Sequence, residues 1–158
     1  MRWSPNKSAR AKGAKPVLIV LHSTEGNFDG AVNWLMQSRA RASAHYVIGI
    51  NGEFKKLVPL SAKAWHVRGS IKFGGYDVNS VSIGIELENY AHESSKKEKR
   101  TKYSVAQMDR LLWLMEKLTR AYPIRGIAAH CDLDPTRRTD PVDFPWRRFW
   151  RLLAKGNK

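Results

Sequence analysis

Residues 81–88, Val-Ser-Ile-Gly-Ile-Glu-Leu-Glu, alternate apolar and polar with the period of a strand. Val81, Ile83, Ile85 and Leu87 fall on one face, which reads as core. Ser82, Gly84, Glu86 and Glu88 fall on the other, with the two carboxylates about 6–7 Å apart and Glu88 expected to face solvent. Two further runs lack this alternation. Residues 16–22, Pro-Val-Leu-Ile-Val-Leu-His, are apolar up to a terminal histidine, the pattern of a strand buried on both faces. Residues 124–130, Ile-Arg-Gly-Ile-Ala-Ala-His, end the same way. Residues 42–50 read as a strand, Asn51-Gly52 as a hairpin turn and residues 53–58 as the returning strand. Helical spacing predicts a helix over about 30–39, with Val32, Leu35 and Met36 on one face. A longer helix is predicted over 105–121, capped by Ser104, with Val105, Met108, Leu111, Leu112, Met115 and Leu118 turned to the sheet. A last helix is predicted over 146–154, with Asp143 as its cap and Pro145 tolerated at its start. Residues 23–27, 69–80 and 91–103 read as loops, and a short helical turn is expected before Ala64. Two prolines make a helix over 131–141 unfavourable, so that stretch reads as a loop.

Strands interleaved with helices predict an α/β fold with a central mixed sheet flanked by helices. A chain of 158 residues fits one domain spanning 1–158. The single cysteine, Cys131, precludes an intrachain disulfide.

Charge narrows the partners. The 28 Lys and Arg against 14 Asp and Glu leave a net charge of +14, which calls for an anionic partner. Nucleic acid, anionic wall polymers and outer-membrane headgroups are the candidates, beside a merely soluble basic surface. No common nucleic-acid motif is visible, so no dedicated nucleic-acid partner is expected. Residues 1–15 form a basic polar segment, and 91–103 an exposed basic loop. Residues 143–155 form a basic amphipathic helix, with Trp146, Phe149, Trp150 and Leu153 on one side and Arg147, Arg148, Arg151 and Lys155 around the other. Such a helix can dock on its own domain or lie on an anionic membrane. No secretory signal is recognisable in the sequence and no run approaches 18 apolar residues. Synthesis in the cytoplasm is therefore expected.

Chemistry gathers after residue 130. His130, Arg138 and Asp140 lie on a loop that can fold back so that histidine and aspartate face one point. Both are natural zinc ligands. Equally, Asp140 can be a turn former before Pro141, and His130 a strand end. His22, ending its own buried strand at a sheet rim, would complete a three-ligand site whose fourth position is open, the catalytic arrangement. Cys131 is a less favoured alternative ligand.

Val20-Leu21-His22, Ser43-Ala44-His45, Ala64-Trp65-His66, Ser82 through Glu88, His130-Cys131-Asp132 and Arg138-Thr139-Asp140-Pro141 occur in one order over about residues 16–150. In this the chain resembles the zinc-dependent N-acetylmuramoyl-L-alanine amidases of the second type. These include phage lysozyme-type amidases, cell-wall recycling amidases and peptidoglycan recognition proteins. The resemblance implies one zinc ion on His22, His130 and Asp140, with Glu86 as general base. Arg138 stands where the family usually has lysine, and is assigned the oxyanion. His45, Trp65 and His66 are implied in substrate binding. Ala44, where the phage branch has tyrosine, places the chain nearer the glutamate-using branch. The implied activity is hydrolysis of the bond between N-acetylmuramic acid and L-alanine in bacterial peptidoglycan. Small size and high positive charge favour a monomeric phage endolysin that reaches the wall in the host periplasm after release. A cytosolic recycling amidase, a non-catalytic peptidoglycan-binding module and a basic nucleic-acid binder are the alternatives.

Overall fold

The computed structural model describes residues 2–90 and 102–156. In chain order its elements are β1 (Lys7–Ala9), β2 (Leu18–Ser23), α1 (Phe28–Leu35), β3 (Tyr46–Ile48), β4 (Phe54–Lys56), β5 (Ala62–Ala64), β6 (Lys72–Phe73), β7 (Tyr76–Asp77), α2 (Val78–Val81), β8 (Ser82–Leu87), α3 (Val105–Ala121), β9 (Gly126–Ala129), α4 (His130–Leu133) and α5 (Trp146–Gly156). Five strands form a mixed sheet in the order β4-β3-β8-β2-β9, as an α/β chain with a mixed sheet requires. Only the β3–β4 hairpin is antiparallel; β3–β8, β8–β2 and β2–β9 are parallel. Its interior strand β2, flanked by β8 and β9, is buried from Leu18 to His22, which explains its unbroken apolar run.

Register assigns the two faces. Ile19, Leu21, Tyr46, Ile48, Ile83, Ile85 and Leu87 pack with Met108, Leu111, Met115 and Leu118 of α3 and with Phe144 and Phe149, so α3 and α5 cover one face. The other face carries Leu18, Val20 and His22 beside Ser82, Gly84 and Glu86, because these residues pair across β2 and β8. Here Val67 and Val78 cover Leu18 and Val20, while Leu35 of α1 packs with Val47 and Leu57.

Several expectations need correction. Glu88, expected to face solvent, is buried and accepts a hydrogen bond from the Ile50 backbone N–H at 2.8 Å, and Ser82 and Gly84 on the same face are buried as well. Helix α1 starts earlier than the apolar spacing implied, because Asn27 caps it by accepting from Gly30 N–H. Residues 69–80 contain the β6–β7 hairpin, turned by Gly74 and Gly75 at positive φ, and then α2 capped by Asp77. A strand, β5, rather than a helical turn leads to Trp65. Its partner is β1, so the basic N-terminal segment contributes an antiparallel strand to the domain. One helical turn, α4, begins at His130 and stops before Pro135. Asp143 lies three residues ahead of α5 with φ 53°. Val105 opens α3 on its exposed side. The basic loop expected over 91–103 lies, for residues 91–101, outside the described residues.

Candidate active site and metal centre

Three elements deliver three donors to one point. Strand β2 places His22 near its C-terminal end, the first turn of α4 places His130, and the loop after α4 returns Asp140. The backbone carbonyl of Asp140 accepts from Cys131 N–H at 3.0 Å, which closes that loop, and the Asp140–Pro141 peptide is cis. The Nδ1 atoms of His22 and His130 lie 3.0 Å apart, and Asp140 Oδ2 lies 3.2 and 3.1 Å from them. Both histidines are buried. The Cys131 thiol is not among the converging atoms.

This donor set fits a divalent cation. Two Nδ1–H groups turned toward Asp140 would oppose each other at 3.0 Å, so at most one can be protonated. Two imidazole lone pairs and a carboxylate oxygen leave a position that a cation satisfies, and two nitrogens with one oxygen are the ligand types of catalytic zinc. Burial lowers the His22 pKa despite the hydrogen bond to Asp140, with the charge of His130 adding to the effect. The imidazole is thereby kept neutral, as a ligand must be. Burial would raise the Asp140 carboxyl, but the polar contacts with His130 and His22 outweigh it and hold it well below the usual range.

A second layer orients His22. His66 Nδ1 lies 3.0 Å from His22 Nε2, and Ser82 Oγ lies 3.0 Å from His66 Nε2. This Ser82–His66–His22 row engages Nε2 of the candidate ligand and leaves Nδ1 free to face a cation. Gly84 makes room for it, since a Cβ there would stand 2.5 Å from His66 Cγ. His66 is buried and its pKa is held well below the ordinary value by that burial and by the neighbouring histidines. No sequence signal marked Ser82, whose role depends on the pairing of β8 with β2.

The cleft above the donors has a volume of about 400 Å³ and is lined by His22, His66, His130 and Asp140 together with Glu86, Trp65 and Arg138. Glu86 is paired in register with His22. Desolvation, with Asp140 and Glu25 nearby, pushes its carboxyl up to about 8, against the opposing charge of Arg138. Arg138 is exposed at the cleft wall and forms no ion pair among the described residues. Trp65 is partly exposed and its Nε1–H donates to Ser8 Oγ at 3.0 Å.

His45 is not brought to the cleft. It is fully buried, its Nδ1 accepts from Gly84 N–H at 3.0 Å, and its Nε2 lies 3.2 Å from the Ala62 carbonyl and 3.1 Å from Arg10. Burial, with the charge of Arg10 adding to it, pushes its pKa down to about 3. It offers substrate no surface and serves the packing beneath His66, 5.9 Å away between ring centres.

The family model described as N-acetylmuramoyl-L-alanine amidase matches residues 12–143. The chain is 31% identical to the 1,6-anhydro-N-acetylmuramyl-L-alanine amidase AmpD of Escherichia coli, over 96% of this chain and 90% of that one. It is also 31% identical to the N-acetylmuramoyl-L-alanine amidase AmiD of E. coli, over 90% of this chain and 55% of that one. A crystal structure of an AmpD derivative superposes with a TM-score of 0.76 at 30% identity, covering 96% of this chain and 92% of that chain. The E. coli AmiD complex with its substrate anhydro-N-acetylmuramic acid-L-Ala-D-gamma-Glu-L-Lys gives 0.74 at 29% identity, covering 90% and 60%. A mutant endolysin from Bacillus subtilis shares the fold, with a TM-score of 0.68 at 18% identity over 95% and 92%. With two buried histidines and a partly buried aspartate converging beside a glutamate, the chain belongs to the N-acetylmuramoyl-L-alanine amidase family and is a hydrolase of that bond.

Proposed function

We propose that the chain acts on soluble anhydromuropeptides, using one zinc ion held by His22, His130 and Asp140. The observation that carries the metal chemistry is the convergence of the three donor atoms within 3.2 Å, beside Glu86 in an open cleft; the choice of substrate rests on the relatives' names. When bound, zinc would supply a Lewis acid that acidifies water and polarises the amide carbonyl. Glu86 takes the proton of the attacking water and passes it to the departing L-alanine amine. Arg138 meets the charge that develops on the carbonyl oxygen, with a fixed guanidinium that cannot give up a proton. Ser82 and His66 hold the tautomer of His22. Trp65 supplies an apolar wall.

The expected endolysin role gives way here. Relatives matched along nearly their whole length are named for 1,6-anhydro substrates, whereas the likeness to the Bacillus subtilis endolysin, at 18% identity, extends to the fold alone. Soluble fragments, rather than an intact wall reached after lysis, are thus the favoured substrate, and their compartment is the proposed place of action.

The test is mass spectrometry of two substrates in parallel, a soluble anhydromuropeptide and purified peptidoglycan. Free stem peptide beginning at L-alanine is expected from the soluble fragment at least tenfold faster, abolished by chelator and restored by zinc. Faster release from intact peptidoglycan would return the endolysin reading. Turnover indifferent to chelator would remove the metal.

A further inference from the structure

The outer side of α5 is separate from the metal cleft. Its inner side is anchored by Phe149, which is fully buried, with Trp146, Leu152 and Leu153 packed against the same core. That accounts for the apolar half of the amphipathic pattern. The basic half is left over. Arg147, Arg151 and Lys155 are exposed and follow at four-residue intervals, about 6 Å apart along the axis. Arg148 is half-buried, and with Arg147, Arg151, Pro145 and Trp146 it lines an open cleft of about 590 Å³. The helix contains no acidic residue, and its four cations form no ion pair with a carboxylate among the described residues.

Beside this row stands Trp150, 45% exposed. One of its flanks is occupied: it stacks on Trp146 at 6.0 Å and 25°, and meets Phe149 at 5.1 Å. The indole thus sits at the border between the cationic row and the buried seam. This is the position in which an amphipathic ring meets the boundary between headgroups and acyl chains, with guanidinium groups reaching the phosphates.

We propose that the α5 face is a docking surface for an anionic phospholipid bilayer. A row of cations on one helix fits a plane of phosphates, and the net charge of +14 draws the molecule to it from a distance. Docking through α5 leaves the amidase chemistry to the metal cleft, so substrate hydrolysis does not depend on it.

The test is cosedimentation of the zinc-loaded protein with vesicles of phosphatidylcholine alone or containing 30% phosphatidylglycerol, at about 0.1 M salt, an ionic strength at which surface charges still act within about 10 Å. Three proteins are compared: wild type, Arg147→Gln/Arg151→Gln/Lys155→Gln, and Lys12→Gln/Lys55→Gln/Lys72→Gln, which removes equal charge from exposed positions elsewhere. The wild type is expected on anionic vesicles only. The α5 variant is expected to bind at least tenfold more weakly, the control variant within threefold, and both to hydrolyse soluble muropeptide as wild type does. A Trp150→Tyr protein gives a second readout, because brominated lipid should quench wild-type fluorescence more strongly than its own. Equal losses in the two triple variants would reduce the effect to net charge and overturn the proposal. So would binding to neutral vesicles alike, or an α5-dependent gel shift with nucleic acid in the absence of vesicle binding.

Discussion

Arg138 tests how literally the cleft uses positive charge. It is exposed on the wall, its charge bears on both Glu86 and His22, and it occupies the position where the resemblance implies lysine. If it acts as a fixed cation, Arg138→Ala should lower kcat/KM by about 10²–10³, the usual effect of removing one oxyanion donor. Arg138→Lys should stay within about tenfold of wild type. Steady-state hydrolysis of a soluble muropeptide measures both; an Arg138→Ala enzyme at full rate would dismiss the role. Glu86 makes a pH prediction. Its carboxyl, near 4.5 ordinarily, is pushed up to about 8 in the metal-free fold. Below about pH 4.5 it is protonated whether the chain is folded or not, and costs nothing. As pH rises toward 8 the unfolded chain ionises first, so folding stability falls through that window. The melting temperature of metal-free Glu86→Gln should therefore exceed wild type by a margin that widens from pH 5 to 8. A margin independent of pH would mean that the carboxyl is better solvated than its surroundings imply. The donors themselves were legible because a histidine closing an apolar run is conspicuous. Ser82 was not, since an alternating serine says nothing about which strand will bring His66 above it. Glu88 misled for the same reason: its alternation promised solvent, and the β3–β4 hairpin covers it.

At the scale of elements, the site rests on close approaches between segments far apart in the chain. A methyl group at Gly84 would run into the His66 ring, so Gly84→Ala should destabilise by about 1–3 kcal/mol and weaken zinc binding about 10–100-fold. Calorimetric unfolding and competition with a zinc dye would check the two; loss of stability without loss of zinc affinity would detach His66 from the metal. Arg10 ties the N-terminal segment to the floor of the site. Its Nε–H donates to the Leu60 carbonyl at 3.0 Å, and Nη1 donates to the carbonyls of Asn79, Ser80 and Ser82 at 3.1, 2.8 and 3.1 Å. Arg10→Met should cost about 2–4 kcal/mol in denaturant unfolding, because several buried acceptors lose a charged donor. A change under about 0.5 kcal/mol would show that the segment is dispensable. Helix α3 could be read to its ends because Ser104 caps it and the apolar spacing is regular. Strand β1 could not: three residues of ordinary composition become a strand only because β5 lies alongside.

For the whole molecule, a metal bound only by the native fold adds stability by mass action. Zinc at a hundred times its dissociation constant should add about 2.7 kcal/mol to unfolding, reversed by chelator; an unchanged melting curve would place the ion outside the folded triad. The order of strands has a further consequence. Between β2 and its neighbours β8 and β9 lie long crossovers, and His22 and His130 are 108 residues apart. A polypeptide still being synthesised thus carries its first histidine and its glutamate long before it has a place to hold an ion. Any fragment that stops short of Asp140 lacks a donor, so a truncated product has no complete centre with which to cleave an amide. Activity arrives late, with the last strand and the loop that follows it, and the slow closure of distant parallel strands sets when.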